Sequence, residues 1–291
     1  MERYTIEGTI NLEKMAIERL KNFEDIALQM NPNGYYVAYS GGKDSDCIRI
    51  LCELAGVKHE LWHNHTTVDA PETVRYVRSI PNINISYPEI SMWDLIIKKG
   101  SPPSRIMRFC CEYLKERGGM DRFCVTGVRR AESVMRSDRN HIEIMNKNIK
   151  MKNRIIFSDD NDENRRMMEP CKTKGKLTLN PIVEWTDDEV WEFLNYHGCK
   201  SNPLYQCGYH RIGCVGCPMS SIKNRLKAFT DYPKYKNLYI RTFDKMLNHR
   251  IKNGNPAITW QSGEEVFDWW TSEKVDDYDI DGQINLWEGA E

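Results

Sequence analysis

Apolar positions along the chain predict helices that alternate with short buried strands. Hydrophobic residues recur at helical spacing from about position 12 to 30, and Asn31-Pro32-Asn33-Gly34 then ends this leading helix. Short apolar runs of the kind that buried strands show follow at 35–39, 57–62, 83–87, 123–126 and 177–184. Helical patterns lie at 44–55, from Pro71 onward, and at 91–99, 108–116 and 187–196. This alternation predicts an α/β fold, a parallel sheet with helices on both faces.

The same pattern predicts how the chain is divided. We expect a leading helical segment over 1–30, an α/β domain over 31–218 and a helical C-terminal region over 219–291. The stretch from His141 to Glu169 is polar and charged, and it is predicted to be a loop or a mobile insertion.

Composition places the chain among ordinary globular proteins. It has 291 residues, of which 40% are hydrophobic and 29% charged, and its formal net charge is −1. No apolar run is long enough to cross a bilayer, and the N-terminus lacks the apolar core of a signal peptide. We therefore expect a cytoplasmic protein with no membrane partner.

The average charge hides a basic stretch in the C-terminal region. Only Asp231 and Asp244 oppose the basic residues between 223 and 252, and aromatic residues are interleaved with them. One interpretation is a surface that follows a nucleic-acid backbone. The other, which we favour, is a solvated helical face whose aromatics point into the core. The basic residues are Lys223, Arg225, Lys227, Lys234, Lys236, Arg241, Lys245, Arg250 and Lys252.

A glycine turn between the first predicted strand and the following helix is the clearest chemical signal. It reads Ser40-Gly41-Gly42-Lys43-Asp44-Ser45. A helix N-terminus offers unpaired N–H groups and partial positive charge to a phosphate, and glycines let the backbone approach the anion closely. The serines add hydroxyl groups and Lys43 adds positive charge. The turn therefore predicts a phosphate-binding loop.

This loop resembles the PP-loop of the ATP pyrophosphatase superfamily, which includes sulfonucleotide reductases, tRNA thiolation enzymes and argininosuccinate and GMP synthetases. Two further stretches resemble the phosphoadenosine phosphosulfate (PAPS) reductase family. One is Gly127-Val128-Arg129-Arg130 together with Arg136, directly after a predicted strand. The other is Asp69-Ala70-Pro71-Glu72-Thr73, which departs from the family because no glycine follows the aspartate.

The resemblance implies a Rossmann-like fold of the adenine nucleotide alpha-hydrolase type and a set of site residues. It implies ATP, adenosine phosphosulfate (APS) or PAPS as the bound nucleotide, with Mg²⁺. The catalytic residues would be Lys43, Asp44, Arg129 and Arg130. The nucleotide contacts would come from the loop residues 40–45 and from Asp69, Gly127, Arg129 and Arg136.

Clustered cysteines indicate a second kind of chemistry. The chain has ten cysteines, and in a reducing cytosol such clusters suggest metal or redox sites. Cys110 and Cys111 are adjacent, and Cys207 is followed by the turn Cys214-Val215-Gly216-Cys217-Pro218. Thiolates are the soft ligands that iron–sulfur clusters and zinc select.

The cysteine pattern resembles two iron–sulfur proteins of the same family. A Cys-Cys pair with a distant Cys-x2-Cys resembles the 4Fe–4S site of APS reductases, which implies Cys110, Cys111, Cys214 and Cys217 as ligands. A Cys-x6-Cys-x2-Cys run resembles the sulfur-transfer protein of DNA phosphorothioation, which implies that Cys207 replaces Cys110 or Cys111. We favour the first set, and zinc at the same thiolates is the alternative metal.

Three functions follow as hypotheses. The first is an ATP-dependent sulfur-transfer or adenylating enzyme whose acceptor is a nucleic acid or another molecule. Its protein partner would be a cysteine desulfurase or a thiol reductant. The second is an APS/PAPS reductase with Cys207 as its nucleophile, since the reductases carry theirs near the C-terminus and no cysteine follows Cys217 here. The third is a non-enzymatic module that senses nucleotide and redox state.

Overall fold

The computed structural model describes residues 2–5, 8–132, 139, 141–145, 176–254 and 260–272. The chain folds into two compact units, each assembled from separate stretches of sequence. Unit 1 comprises 1–64, 71–86 and 118–212, and unit 2 comprises 65–70, 87–117 and 213–291. The predicted division into 1–30, 31–218 and 219–291 stays a prediction.

Unit 1 contains all the strands that the structure describes. They are β1 (Glu2–Thr5), β2 (Gly8–Asn11), β3 (Tyr35–Ala38), β4 (His59–Asn64), β5 (Ile83–Ser86), β6 (Phe123–Val125), β7 (Ile142–Met145) and β8 (Lys176–Leu179). β1 and β2 form a separate antiparallel hairpin. The other six form one sheet of order β5-β4-β3-β6-β8-β7, in which only β7 runs antiparallel.

The strand order places a ligand crevice at the end of β3. From β3 the chain builds outward through β4 and β5 on one side, and through β6 and β8 on the other. Neighbouring connections that leave in opposite directions open a gap beyond the carboxyl ends of the two central strands. Tyr35, Tyr36 and Val37 are consecutive and all buried, so both faces of the central strand are covered. The predicted α/β fold with a parallel sheet is confirmed.

Ten α-helices lie in the described residues. They are α1 (Leu12–Asn22), α2 (Glu24–Met30), α3 (Lys43–Ala55), α4 (Pro71–Arg78), α5 (Met92–Lys99), α6 (Phe109–Leu114), α7 (Asp187–Tyr196), α8 (Ile222–Asp231), α9 (Pro233–Lys252) and α10 (Gly263–Thr271). Capping residues fix several of their ends. Thr186 and Glu189 form a capping box on α7, and Gly56 ends α3 in the left-handed conformation.

Three predicted elements differ from the structure. The leading helix is interrupted at Phe23, which is the C-cap of α1 and the N-cap of α2. The strand predicted over 177–184 ends at Leu179. Residues 181–184 form a turn, and Pro181 is its first residue. The prediction of a loop over 141–169 is wrong at its start, because Ile142–Met145 pair with β8. Residues 146–169 lie outside the described part of the chain.

Unit 2 is helical and has an aromatic core. Trp270 packs against Tyr239, Phe243 and Phe229, with ring centroids 4.9 to 5.9 Å apart. Trp270 also donates its indole N–H to the carbonyl of Pro103 over 2.7 Å. The helical C-terminal region is therefore confirmed. No helix among the described residues is long and apolar enough to span a membrane.

Candidate functional site

The loop between β3 and α3 is held in shape by its own polar groups. The Ser45 hydroxyl accepts a hydrogen bond from the Gly42 N–H (3.1 Å) and donates one to the Gly42 carbonyl (2.7 Å). Asn202 donates its side-chain amide to the Gly41 carbonyl over 3.1 Å. Gly41 has φ +77°, and a Cβ there would lie 2.9 Å from the Val77 side chain, so only glycine fits. Ser45, Asn202 and the glycine backbone thus fix the shape of the loop.

Four charged side chains meet at the first turn of α3. The Arg129 guanidinium is fully buried and donates to Asp44 (Nε to Oδ1, 2.6 Å) and to Asp187. Its remaining nitrogen donates to the Trp185 carbonyl over 3.1 Å. The Lys43 ammonium lies 3.4 Å from Asp187 and 3.7 Å from Asp44. Two cations and two carboxylates therefore form one network at the N-terminus of this helix.

The electrostatics of this network favour the charged forms. Burial opposes the charge on Arg129, but Asp44 and Asp187 outweigh it and raise the pKa of the guanidinium. Burial likewise works against the Asp187 carboxylate, while the hydrogen bond from Arg129 and the nearby Lys43 charge lower its pKa. Asp187 nevertheless keeps 66% of its side chain exposed. One carboxylate of the network can therefore reach a ligand from solvent.

Gly127 is explained by close packing rather than by a turn. It follows β6, and a Cβ there would lie 2.9 Å from the backbone and Cβ of Asp44. A side chain at 127 would push the loop after β6 away from α3. The glycine therefore lets Arg129 reach the Asp44 carboxylate.

Tyr205 occupies a position that the sequence did not reveal. Its hydroxyl accepts a hydrogen bond from the Lys43 N–H over 2.8 Å. Burial raises the pKa of this hydroxyl, so it stays protonated and neutral. The oxygen thus lies where a phosphate oxygen would accept from the helix N-terminus.

The structure brings most of the predicted nucleotide residues together. The loop residues 40–45, Gly127 and Arg129 lie around the start of α3. Arg130 donates from Nε to the Arg139 carbonyl over 2.7 Å instead. Arg136 lies outside the described residues. Asp69 belongs to unit 2.

Asp187, Asn202 and Tyr205 were missed as site residues. In the sequence, Asp187 stands out only as an acidic residue in the first turn of α7. Acidic residues are common there because they interact favourably with the helix dipole, so this position alone does not indicate a site. Asn202 and Tyr205 are about 160 positions from the loop, so nothing local in the sequence links them to it.

Four cysteines line one small cavity of unit 2. The cavity measures about 20 Å³, and its lining includes Cys110, Cys111, Cys214 and Cys217. The last two are joined by a turn in which the Cys217 N–H donates to the Cys214 carbonyl over 3.2 Å. Gly216 lies in this turn with φ +76°, and a Cβ there would lie 2.6 Å from the Phe229 ring. The pairs from α6 and from this turn thus meet although they are about a hundred residues apart.

Polar groups of unit 2 surround these thiols. Cys214 donates to the Thr66 hydroxyl over 3.3 Å, and Asp69 accepts from the Thr66 N–H over 2.7 Å. Lys115 lines the same cavity, and the charges of Cys214, Cys217 and Asp69 raise its pKa. The hydrogen bond from Cys110, together with Lys115, lowers the pKa of Cys111. Asp69 therefore contacts the cysteine cavity, and its predicted nucleotide contact stays a prediction.

The donor set of this cavity fits a thiolate-ligated metal group. Among the described residues, no three His, Cys, Asp or Glu side chains are already spaced to hold one metal ion. Four thiols that converge on one cavity beside a lysine are nevertheless the ligands that iron–sulfur clusters use. Cys207 lies in unit 1 with an exposed side chain.

The fold and the loop define an α/β nucleotide-binding protein of the PP-loop type, and sequence comparison narrows the class. The family model described as the phosphoadenosine phosphosulfate reductase domain matches residues 34–220. The chain belongs to this family.

Individual relatives that align over long stretches have low sequence identity to this chain. An uncharacterized protein of Methanocaldococcus jannaschii is 27% identical over 244 residues, which are 78% of this chain and 44% of that protein. An adenosine 5'-phosphosulfate reductase of Oceanobacillus iheyensis is 26% identical over 161 residues, 53% of this chain and 56% of the relative. The chain spans about half the length of the curated relatives it matches.

Among solved structures, the PAPS reductase of Candida auris in a phosphate complex matches with a TM-score of 0.44 and 19% identity. The match covers 70% of this chain and 92% of that one.

Proposed function

We propose that this chain is an ATP-dependent sulfur-transfer or adenylating enzyme of the PAPS reductase family that carries a 4Fe–4S cluster. The observation that carries the proposal is the network of Lys43, Asp44, Arg129 and Asp187 at the N-terminus of α3. Reduction of a sulfonucleotide by thiols has no need of paired carboxylates beside a phosphate-binding loop. Cleavage of ATP does, because the metal ion that accompanies its phosphates is bound by carboxylate oxygens.

The loop supplies the pyrophosphate contacts. At the helix N-terminus, a phosphate oxygen would replace the Tyr205 hydroxyl as the acceptor of the Lys43 N–H, and the Lys43 ammonium adds positive charge. These groups bind the β- and γ-phosphates and stabilise the negative charge that develops on pyrophosphate as it leaves.

Asp44 and Asp187 are the residues that would hold Mg²⁺. Protein Mg²⁺ sites commonly use one or two carboxylates and complete their coordination with water and substrate phosphates, so two acids fit. The ion supplies neutralisation of phosphate charge when it is bound. Arg129 does not itself face solvent, and we assign it as a positioning residue that keeps both carboxylates in place.

Cys110, Cys111, Cys214 and Cys217 would hold the cluster in unit 2. When bound, the cluster supplies iron-bound sulfur or electrons for the transfer. Lys115 supplies positive charge beside the thiolates, which offsets part of the negative charge that four thiolate ligands bring.

Calorimetric titration tests the nucleotide half of the proposal. We expect the protein to bind ATP only with Mg²⁺, and pyrophosphate to compete. Asp187→Asn should weaken this Mg²⁺-dependent binding by about 10- to 100-fold. Asp188→Asn is the matched control, since it removes an exposed acid from the same helical turn and should change nothing. Tight binding of APS that needs no Mg²⁺ and ignores Asp187→Asn would reject the proposal.

The alternative is an APS/PAPS reductase, and one observation favours it. Cys207 is exposed and belongs to the same unit as the phosphate-binding loop, as a nucleophile would require. In that case the protein releases sulfite from APS or PAPS with a thiol reductant, and Cys207→Ser abolishes the release. Cys199→Ser is the control, because Cys199 is half-buried in unit 1.

A further inference from the structure

One face of α9 carries a line of exposed cations. Lys234, Arg241, Lys245 and Lys252 are all exposed. They are separated by seven, four and seven residues, which is close to two, one and two helical turns. The four side chains therefore share one face of the helix, which we call the basic stripe, and it extends over about 27 Å at 1.5 Å per residue.

Three other basic residues of this region have structural contacts within unit 2. Arg225 donates to the carbonyls of Trp270 and Pro218, and Arg250 donates to the carbonyl of Gly100 over 2.7 Å. Lys227 pairs with Asp231 over 2.6 Å. The basic stripe differs from them, since none of its four members forms an ion pair with a described residue.

The acidic side chain of α9 faces α10. Asp244 is the one acid of α9, and it accepts a hydrogen bond from the Gly263 N–H over 2.6 Å. Gly263 packs directly on the backbone of Ile240, so α10 covers the side of α9 that carries Ile240 and Asp244. That side lies roughly a quarter-turn from the stripe. The stripe therefore contains no acidic residue of α9.

The aromatic residues of this region are unavailable for stacking on bases. Tyr239 and Phe243 are buried in the aromatic core, and Tyr235 is half-buried and donates its hydroxyl to the Asp69 carbonyl. A single-strand binding surface needs exposed rings, whereas a duplex backbone needs only cations in a line. Leu238 and Ile251 are the exposed large apolar residues of α9, which are too few for a membrane surface.

We propose that the basic stripe binds the phosphate backbone of double-stranded nucleic acid. Its cations are about 10, 6 and 10 Å apart along the helix axis, and a duplex presents one negative charge per about 1.7 Å of its axis. Contacts of this kind are made to phosphates and so do not depend on the base sequence. This inference rests on the proposed function, in which the duplex would be the sulfur acceptor. Its test measures duplex binding alone.

The test is fluorescence anisotropy with a labelled 20-base-pair duplex, titrated with the full chain between 50 and 200 mM salt. Each phosphate contact contributes about −0.9 to the slope of log K against log salt. Arg241→Gln combined with Lys245→Gln should therefore flatten the slope by about 1.8 and weaken binding at the lowest salt by about tenfold or more. Lys14→Gln combined with Lys21→Gln is the control, because both lysines are exposed on α1 and the change in charge is the same.

Four results would overturn the inference. They are no duplex binding by the wild type, equal losses in the two double variants, tighter binding of the single strand of the same sequence, and binding of phosphatidylserine vesicles in place of the duplex. ATP titrations separate this inference from the proposed function. A wild-type protein that binds the duplex but not ATP with Mg²⁺ would support the basic stripe and reject the proposed enzyme. A wild-type protein that binds ATP with Mg²⁺ but not the duplex would reject the basic stripe and leave the proposed enzyme standing.

Discussion

The phosphate-binding loop of unit 1 and the cysteine cavity of unit 2 are built in opposite ways. The main polar groups of the loop pair within the protein: Ser45 with Gly42, Asn202 with Gly41, and Arg129 with two carboxylates. The cavity instead gathers four thiols whose charged forms repel one another. The loop is stabilised by hydrogen bonds within the fold, whereas the cavity brings together four thiols that would bind a cluster under the proposed function.

This difference decides which substitutions affect folding and which affect only loading. A side chain in the loop network is part of the folding energy of unit 1, because it leaves buried partners unpaired when it is removed. A cysteine replaced by serine in the cavity removes a ligand but keeps the volume nearly unchanged. We therefore expect stability effects in unit 1 and metal-content effects in unit 2.

The largest effect is expected for Arg129→Met. This substitution removes a fully buried guanidinium and leaves Lys43 as the remaining cation beside Asp44 and Asp187. Breaking a buried ion pair typically costs about 3 to 5 kcal/mol, and urea unfolding measures it. Arg75→Met, which disrupts an exposed pair with Glu72, should cost no more than about 1 kcal/mol. If the two variants unfold alike, the loop network is not what stabilises unit 1.

A smaller effect is expected from the pH dependence of Asp46. Burial raises the pKa of this carboxyl from 3.8 to about 6, although hydrogen bonds from Tyr39 and Tyr76 and the charge of Arg49 oppose the rise. Between these values the folded state binds more protons than the unfolded state. The free energy of unfolding therefore falls as pH rises from about 4 to about 6, by about 3 kcal/mol at 1.4 kcal/mol per pKa unit.

Asp46→Asn removes this dependence, because an amide does not titrate. Urea unfolding at pH 4, 5, 6 and 7 compares the two proteins. Parallel curves for wild type and variant across this range would show that Asp46 titrates normally in the folded protein.

The smallest effect is expected for Tyr205→Phe. The hydroxyl of Tyr205 accepts from the Lys43 N–H, so its loss frees one phosphate donor of the loop. The unliganded protein should lose about 1 kcal/mol of stability, and its affinity for pyrophosphate should rise by about fivefold. Tyr196→Phe, whose ring is 81% exposed, is the control. Weaker pyrophosphate binding in Tyr205→Phe would instead mean that the hydroxyl contacts the ligand.

Local sequence signals predicted the parts of the fold that depend on local chemistry. The order of strands and helices in unit 1 follows from apolar runs and caps, and Thr186 marks the start of α7 correctly. β7 escaped prediction because it is a four-residue edge strand between polar segments, and its pairing with β8 is a tertiary contact. The helix break at Phe23 escaped for a similar reason, since no glycine or proline marks it.

The sites follow the same rule. The glycine loop was predictable because a phosphate cradle needs glycines and a helix N-terminus next to each other in sequence. Asp187 and Tyr205 reach this loop from positions more than 140 residues away, so only the folded chain reveals them. The assignment of the aromatic residues was also decided by packing. Tyr239 and Phe243 belong to the core, as the favoured interpretation of the basic stretch required.

Iron and sulfide analysis after anaerobic purification tests most directly whether unit 2 holds a cluster. The wild-type protein should contain about four irons and four sulfides per chain. Single serine variants of Cys110, Cys111, Cys214 and Cys217 should lose them, while Cys207→Ser should keep them because Cys207 does not line the cavity. Loss of iron in Cys207→Ser with retention in Cys110→Ser or Cys111→Ser would contradict the ligand set. One zinc, or no metal, in the wild type would contradict the cluster itself.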